Sequence, residues 1–184
     1  MARGDLPGDL AARYEWVQEL GRGAMGVVHR VRDRELGREV ALKLVSRKLL
    51  EDPSKRKRFE REARVLARLE HPGVVRLFDA GVEAGQPYMA MELLEGEDLE
   101  GAAGVDAVAV MLEAADALEA VHAAGVLHRD LKPANLMRLA DGRVVLVDFG
   151  LANADEESAI TRSGDVVGSP YYICLLYTSD AADE

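Results

Sequence analysis

The sequence is poor in cysteine, with a single one among 184 residues. One thiol cannot form a disulfide framework or a cysteine-based zinc site, so a secreted, disulfide-stapled fold is excluded and a reducing compartment is the natural environment. Long apolar runs are lacking too, since no stretch approaches the ~18 residues that a spanning helix needs. Residues 1–10 include Arg3, Asp5 and Asp9 and contain no apolar signal-peptide core. These absences predict a cytoplasmic segment that makes no membrane contact.

Negative charge is concentrated in the second half of the chain. Residues 1–91 carry a net charge of +4 and residues 92–184 one of −14, which together give the total of −10. The 48% hydrophobic content is enough to bury a core in one domain or in two small lobes. The asymmetry favours two lobes of opposite sign. The densest basic run, residues 55–58, opens an amphipathic helix among acidic residues, so we interpret it as a solvated helix face and not as a nucleic-acid site.

Turn-bounded apolar segments predict short strands in the first half. They cover residues 16–20, 27–31, 39–45, 74–78 and 88–91. Between the third and fourth, Asp52 and Pro53 supply an N-cap and a first-turn proline for a helix with apolar residues every three or four positions until His71. Glu62 falls on the apolar face of this helix. A buried carboxylate needs a cation, because an unpaired buried charge is costly.

A connector rich in glycine and glutamate, residues 93–104, separates the two predicted lobes. A second amphipathic helix follows over residues 106–124 and ends at Gly125, a C-cap signal. Its apolar stripe consists of Val108, Leu112, Ala115, Leu118 and Val121. Beyond it the sequence predicts a loop over residues 128–135, a hairpin that turns at Asp141-Gly142, and a buried strand over residues 144–147.

Three glycines, Gly21, Gly23 and Gly26, form a G-x-G-x-x-G pattern between two predicted strands. Without side chains, such residues let backbone N–H groups approach an anion, although a plain glycine turn is the alternative. A dinucleotide-binding fold would place the pattern between a strand and a helix, so the hairpin context argues against it.

Lys43 alternates with Ala41 to face inward on the third strand. An inward lysine needs a counter-charge just as Glu62 does, which predicts that Lys43 and Glu62 pair with each other. A structural surface salt bridge is the alternative interpretation of these two residues.

The segment from His128 to Asn135 reads H-R-D-L-K-P-A-N and is followed by Asp148-Phe149-Gly150. Together with the glycine loop and the V-A-L-K strand, these motifs resemble the Ser/Thr protein kinase family, especially its bacterial, eukaryotic-like branch, in the family's order over residues 14–173. The resemblance implies a two-lobed α+β kinase fold. After an N-terminal tail of residues 1–10, a small antiparallel β lobe with one helix would span residues 11–91, and an incomplete, mainly α lobe residues 92–173.

The resemblance also implies an activity, namely transfer of the ATP γ-phosphoryl group, with Mg²⁺, to a Ser or Thr hydroxyl of a protein substrate. Asp130 would accept the proton of that hydroxyl, and Lys132 would neutralise the γ-phosphate. Asn135 and Asp148 offer the hard oxygen ligands that Mg²⁺ prefers. Nucleic acid is not an expected partner.

The nucleotide site implied by the resemblance draws on both lobes. Lys43, oriented by Glu62, would hold the α- and β-phosphates. Apolar faces above and below would enclose the adenine, the backbone of the connector would hydrogen-bond it, and Asp98 would contact the ribose. The full set is Gly21, Gly23, Gly26, Val28, Ala41, Lys43, Met91, Glu92, Leu94, Asp98 and Met137.

Two further features have family counterparts. Leu66, Leu77, His128 and Phe149 match the regulatory spine, for which ordinary core packing is the alternative. Thr161 and Ser163 lie in a polar loop where a phosphate could pair with Arg129 and order the segment. We therefore expect the intact enzyme to lose activation in a Thr161→Ala, Ser163→Ala double variant. The remaining histidines share no metal-ligand spacing.

Residues 168–173 resemble the start of the family's substrate-pocket segment, but the expected A-P-E motif does not follow. Residues 174–184 instead read CLLYTSDAADE, which a transposase sequencing adapter encodes, so we expect this tail to be an artefact. The parent protein would then continue differently and leave room for a downstream sensor or membrane domain. We expect the 184-residue chain alone to be poorly stable and inactive, because its second helix exposes an apolar stripe.

Two other functions stay open at this point. A pseudokinase scaffold would bind nucleotide without turnover, although intact Lys43, Glu62, Asp130, Asn135 and Asp148 argue against it. A small-molecule phosphotransferase of similar fold is the other, although the H-R-D-L-K-P run and residues 168–172 favour protein substrates.

Overall fold

A five-stranded antiparallel sheet forms the first lobe in the computed structural model, which describes residues 6–100, 102 and 104–150. Its strands are β1 (Tyr14–Gly23), β2 (Gly26–Asp33), β3 (Arg38–Val45), β4 (Leu77–Glu83) and β5 (Gln86–Glu92). They lie side by side in the order β1-β2-β3-β5-β4. The first three follow one another in sequence and in space because short turns join them, as the sequence predicts.

Helix α2 (Pro53–Leu66) covers one face of this sheet. The Asp52 carboxylate caps it by accepting the Ser54 N–H at 2.7 Å, and Pro53 fixes the first turn. The helix buries Phe59, Glu62, Ala63 and Leu66, which recur at helical spacing. It ends before the predicted His71, because the N–H groups of Arg68 and Leu69 bond three residues back and tighten the chain into a 3₁₀ turn.

The opposite face of the sheet is covered by the start of the chain. A single turn of helix, α1 (Leu10–Arg13), precedes β1, and Leu6 and Leu10 are buried beside Tyr14. These side chains pack on Val31, Val40, Leu42, Leu44 and Ala90 of the sheet. Residues 6–10 of the segment predicted as a tail therefore contribute to the core of the first lobe.

The described part of the second lobe consists of one long helix and a small sheet. Helix α3 (Ala107–Ala123) begins at Asp106, whose carboxylate accepts the N–H groups of Val108 and Ala109. The sheet contains β6 (Gly96–Asp98), β7 (Leu136–Leu139) and β8 (Val144–Leu146), in that order. Gly142, with a φ of 90°, makes the turn between β7 and β8 that Asp141-Gly142 predicts.

Helix α3 buries the predicted stripe only at its C-terminal end, where Leu118 is partly and Val121 fully buried, and a different face before that. Val108 and Leu112 are 69% and 68% exposed, whereas Ala114, Ala117 and Val121 are buried. The helix is apolar around most of its circumference, so spacing alone does not determine the buried side. The smaller alanines are buried because the backbone comes close there: a Cβ added to Gly73 would lie 3.2 Å from Cβ of Ala117.

Residues 73–75 join the two lobes. Leu146 in β8 donates its N–H to the carbonyl of Gly73 at 2.8 Å and accepts the N–H of Val75 at 3.0 Å. The strand predicted over residues 74–78 therefore begins only at Leu77, since residues 73–75 pair with the second lobe. One hydrophobic cluster runs through the junction and includes Leu66, Leu77 and Leu146. No helix within the described residues is long and apolar enough to cross a membrane.

Candidate active site

The cleft side of the first sheet follows from its register. Lys43 lies opposite Val28 on β2 and Met89 on β5, so these side chains share one face. Two residues away on β3, Ala41 lies on the same face and opposite Met91. Lys43 reaches the second lobe, which shows that this face lines the cleft. The structure therefore brings Val28, Ala41, Lys43 and Met91 to one surface.

The glycine loop forms the tip of the β1–β2 hairpin above this surface. Gly26 has a φ of 145°, and a Cβ there would lie only 2.1 Å from the Leu44 carbonyl oxygen, so the hairpin itself requires this glycine. Around Gly21 and Gly23, in contrast, an added Cβ would meet nothing within 4 Å. Their missing side chains are not required by packing and leave open space, as close approach of an anion to the backbone needs.

Lys43 and Asp148 meet across the cleft. The Lys43 ammonium is in contact with the Asp148 carboxylate, and Lys43 as a whole is only 4% exposed. Asp148 follows β8 with a φ of 58°, a left-handed conformation that is uncommon outside glycine. The two charges, 105 residues apart in sequence, thus converge on one point as the motifs predict.

Glu62 does not pair with Lys43, contrary to the prediction. Its carboxylate accepts two hydrogen bonds from Arg129, at 2.8 Å and 3.2 Å, and one from Arg58 at 3.2 Å. The Glu62 side chain is 5% exposed and the Arg129 side chain 12%, so this is a buried ion pair between α2 and the loop after α3.

The difference has a physical reason. A buried carboxylate needs a cation, but the need does not specify which one. The planar guanidinium of Arg129 binds both oxygens of Glu62 at once, whereas a lysine ammonium is a point charge. Arg58 lies one turn before Glu62 on the same helix, at the i,i+4 spacing that favours such pairs. That spacing is the signal by which the sequence could have revealed Arg58.

Asp130 and its neighbours form a hydrogen-bonded cluster on the floor of the cleft. The Asp130 Oδ2 atom accepts a bond from the Lys132 ammonium at 2.7 Å and one from the Asn135 amide nitrogen at 3.0 Å. The same Asn135 nitrogen donates to the Asp130 carbonyl at 2.7 Å. These bonds orient the amide and leave the Asn135 Oδ1 atom to face other partners. The carbonyl of Asn135 accepts the N–H of Val147, which places Asp148 beside the cluster.

His128 anchors the loop that carries this cluster. Its Nε2 atom is 3.0 Å from the Val147 carbonyl, and its ring lies 5.0 Å from the ring of Phe149. Burial lowers the pKa of His128, and the hydrogen bond to Val147 opposes that shift without cancelling it. The neutral ring therefore donates from Nε2. Of the predicted spine, Leu66, Leu77, His128 and Phe149 are all buried.

The donor set fits a magnesium ion shared with phosphate. Within residues 6–100, 102 and 104–150, no group of three or more His, Cys, Asp or Glu side chains is arranged to hold a metal ion. Asn135 and Asp148 therefore offer two oxygen ligands and no complete protein cage. Mg²⁺ is commonly held by one or two carboxylates, waters and substrate phosphates, so this sparse set is compatible with it.

The remaining predicted nucleotide residues lie at the edge of the cleft. Asp98 on β6 is paired with Met137 on β7, and its carboxylate accepts the N–H of Glu100 at 2.9 Å. The N–H of Glu92 donates to the Arg76 carbonyl at 2.9 Å, so only the Glu92 carbonyl remains for the predicted contact with adenine. Met91 and Leu94 are partly buried against the main core cluster. Thr161 and Ser163 lie outside the described residues.

Known proteins are similar to this chain in sequence and in fold. The family model described as "Protein kinase domain" matches residues 14–174. Serine/threonine-protein kinase PknE of Mycobacterium tuberculosis is 44% identical over 167 residues, which cover 87% of this chain and 30% of that protein. A probable serine/threonine-protein kinase, PknB of Corynebacterium glutamicum, is 40% identical over 177 residues, or 89% of this chain and 27% of that protein.

Solved structures of kinase domains are also similar to this chain. The crystal structure of the M. tuberculosis PknI kinase domain is 34% identical and superposes with a TM-score of 0.72, covering 91% of this chain and 69% of that one. The expected two-lobed α+β fold is thereby confirmed. This chain spans less than a third of the length of the curated relatives it matches.

Proposed function

Because the chain belongs to the protein kinase domain family, we propose that the protein transfers the γ-phosphoryl group of ATP, with Mg²⁺, to a Ser or Thr hydroxyl of a protein substrate. One observation carries the proposal. The Lys43 ammonium from the first lobe and the Asp148 carboxylate from the second meet beside the cluster of Asp130, Lys132 and Asn135.

The floor of the cleft would orient and deprotonate the acceptor. Lys132 and Asn135 both bind the Oδ2 atom of Asp130, so Oδ1 is the oxygen directed to an incoming hydroxyl and, finally, to its proton. Lys132 lies close enough to Asp130 to neutralise charge that develops beside the attacking oxygen. With a lysine at this position, the chain resembles the Ser/Thr-directed members of the family.

The roof and back of the cleft would hold the nucleotide. Gly21 and Gly23 expose backbone N–H groups over open space, and Val28 and Ala41 present apolar surface. A bound Mg²⁺ would neutralise negative charge on the phosphates. Asn135 and Asp148 are the residues that would hold it.

Two ion pairs would change in the active arrangement. Asp148 would hold the metal ion and Lys43 would bind phosphate oxygens, so the contact between these two side chains would give way at least in part. Glu62, now bound to Arg129, could turn to Lys43 once another anion takes its place on Arg129. The arrangement described above would be the resting state of the site.

Protein substrates and a cytoplasmic location follow from the same proposal. ATP and Mg²⁺ are available in the cytoplasm, and the relatives named above are serine/threonine-protein kinases. Those relatives extend well beyond the matched segment, which leaves room for a sensor or membrane domain in the full-length protein.

The test is phosphoryl transfer by the full-length protein. Incubation with ATP and Mg²⁺ is expected to label a generic basic protein on Ser or Thr and not to label an aminoglycoside. Lys43→Met, Asp130→Asn and Asp148→Asn should each reduce kcat/KM by at least ~100-fold, as for loss of a principal acid–base or electrostatic group.

Lys48→Met is the matched control. Lys48 is an exposed lysine of the same lobe, so its loss should leave turnover unchanged. Nucleotide binding without any transfer would instead identify a pseudokinase, and labelling of the aminoglycoside alone would identify a small-molecule phosphotransferase.

A further inference from the structure

Helix α2 carries a row of cations on its solvent side. Lys57, Arg61 and Arg64 are exposed and spaced four and three residues apart, so they lie on one face of the helix. Arg68, exposed in the turn after the helix, continues the row. We call these four residues the basic face.

The basic face stands out because most of its charges have no partner among the described residues. Lys57, Arg64 and Arg68 form no ion pair with any described residue, and Arg61 approaches Glu62 only at 4.0 Å. On the neighbouring strip of the same helix, Arg56 pairs with Glu60 at 3.3 Å. Like charges at these spacings destabilise a helix, so local helix stability does not explain the row.

A matching row of acids is exposed on the connector between the lobes. Glu92, Glu95 and Glu100 are exposed and form no ion pair within the part of the chain that the structure describes. Glu97, between them, is neutralised by Arg138. We call Glu92, Glu95 and Glu100 the acidic connector.

We propose that the basic face of α2 docks on the acidic connector of a second copy of this chain. The two rows have opposite charge, and neither is neutralised by the residues that the structure describes. Parts of the two rows also match in length: the seven residue steps of helix from Lys57 to Arg64 span about 10 Å at 1.5 Å per residue. The three residue steps from Glu92 to Glu95 span at most about 10 Å.

The contact has a defined physical character. Two different patches meet, and each copy offers both of them. Exposed charge pairs contribute little individually, and hence the association is weak and depends on salt. It needs no nucleotide, because neither row includes a side chain of the phosphate-binding cleft.

Charge reversal and complementation test the proposal in the full-length protein. Variant A is Lys57→Glu/Arg64→Glu, and variant B is Glu95→Lys/Glu100→Lys. Sedimentation equilibrium in ~0.1 M and ~1 M salt, where the Debye length is about 10 Å and about 3 Å, measures self-association. The control, Arg34→Glu/Lys48→Glu, reverses two exposed cations elsewhere in the first lobe and changes the net charge as variant A does.

The wild-type protein and the control are expected to self-associate in low salt and to dissociate in high salt. Variants A and B should each self-associate at least tenfold more weakly, because like charges then face each other. An equimolar mixture of A and B should associate again, since each reversed patch meets an opposite charge. A monomeric wild type in low salt, or a mixture that stays monomeric, would overturn the proposal. So would a monomeric wild type whose basic face binds anionic vesicles or heparin.

Discussion

Glu62 lies between two guanidinium groups, one from its own helix and one from the loop after α3. Buried ion pairs of this kind lose several kcal/mol when one partner is removed, because the other charge is then left without compensation. The pairing of Glu62 is therefore measurable in the folded chain without any substrate.

Double-mutant cycles should assign the partner of Glu62. In the absence of nucleotide, the cycle of Glu62→Gln with Arg129→Met should give a coupling free energy of about 1–3 kcal/mol in chemical unfolding. The cycle of Glu62→Gln with Lys43→Met should give nearly none, since these two side chains are not paired. A larger coupling to Lys43 than to Arg129 would contradict the structure.

Trp16, the single tryptophan of the sequence, is hydrogen-bonded to His29 and can therefore report the protonation of that histidine. Its indole N–H donates to Nδ1 of His29 at 3.2 Å, so His29 is neutral with its proton on Nε2. Burial lowers the pKa of His29, and nearby Arg22 adds to the shift while Glu19 opposes it. The folded state thus binds the proton less well than the unfolded state. Neutral His29 therefore stabilises the fold fully at pH values above the ordinary histidine pKa of about 6.5. This stabilisation is lost as the pH falls from that value through the lowered pKa that His29 has in the folded state.

Trp16 fluorescence should show this titration. We expect the emission to change with a midpoint below pH ~6.5, because protonation of His29 removes the acceptor of the indole N–H. His29→Gln is the matched variant, since its side-chain oxygen can still accept that bond but does not titrate. The same transition in His29→Gln, or a midpoint above the ordinary histidine value, would show that His29 is not the titrating group.

At the scale of secondary-structure elements, the glycines of the β1–β2 hairpin have separate tasks. Gly26→Ala should destabilise folding by about 1–3 kcal/mol, because it combines a left-handed φ with a Cβ that would overlap the Leu44 carbonyl. Gly23→Ala should change the free energy of unfolding by less than ~0.5 kcal/mol, since its Cβ meets nothing.

Steady-state kinetics of the full-length protein then separate the two roles. Gly23→Ala is expected to raise the KM for ATP at an unchanged melting temperature, because a methyl group would occupy space next to the phosphates. A large loss of stability in Gly23→Ala, or none in Gly26→Ala, would reverse the assignment.

The elements themselves were largely predictable because local signals specify them. Asp52 with Pro53 and Asp106 mark the starts of both long helices, and Asp141-Gly142 marks the β7–β8 turn. Strand β6 was not predicted, because three exposed residues give no alternation and it exists only by pairing with β7. The partner of Glu62 was missed for a related reason, since charge balance does not distinguish one cation from another.

At the scale of the whole molecule, α3 presents apolar side chains on two sides. The side with Ala114 and Ala117 packs within the chain, while Val108, Met111 and Leu112 are exposed. Contiguous exposed apolar surface promotes association. The sequence correctly indicated an apolar stripe, but only the tertiary packing determines which side is buried.

Polar substitutions should separate the two sides of α3 in the 184-residue chain. Val108→Gln/Leu112→Gln should reduce aggregation in light scattering and change the free energy of unfolding by no more than ~0.5 kcal/mol, as for exposed positions. Ala117→Gln, at a buried position beside Gly73, should lower the free energy of unfolding and increase light scattering, because the larger side chain cannot fit. Equal effects of both changes would mean that the two sides are not distinct.

Residues 73–75 belong to the first lobe in sequence but are hydrogen-bonded to β8 of the second. Residues 73–75 follow α2 after a short turn. The end of that helix at Leu66 is therefore tethered to the second lobe, whereas its start at Pro53 is not tethered in this way. If the lobes move relative to each other, α2 would then rotate about its tethered end at Leu66. Displacement in such a rotation increases with distance from that end, so Glu62 would move a short distance and Lys57 a longer one. A displacement imposed near Lys57 would thus be transmitted, reduced in size, to the Glu62 carboxylate that binds Arg129.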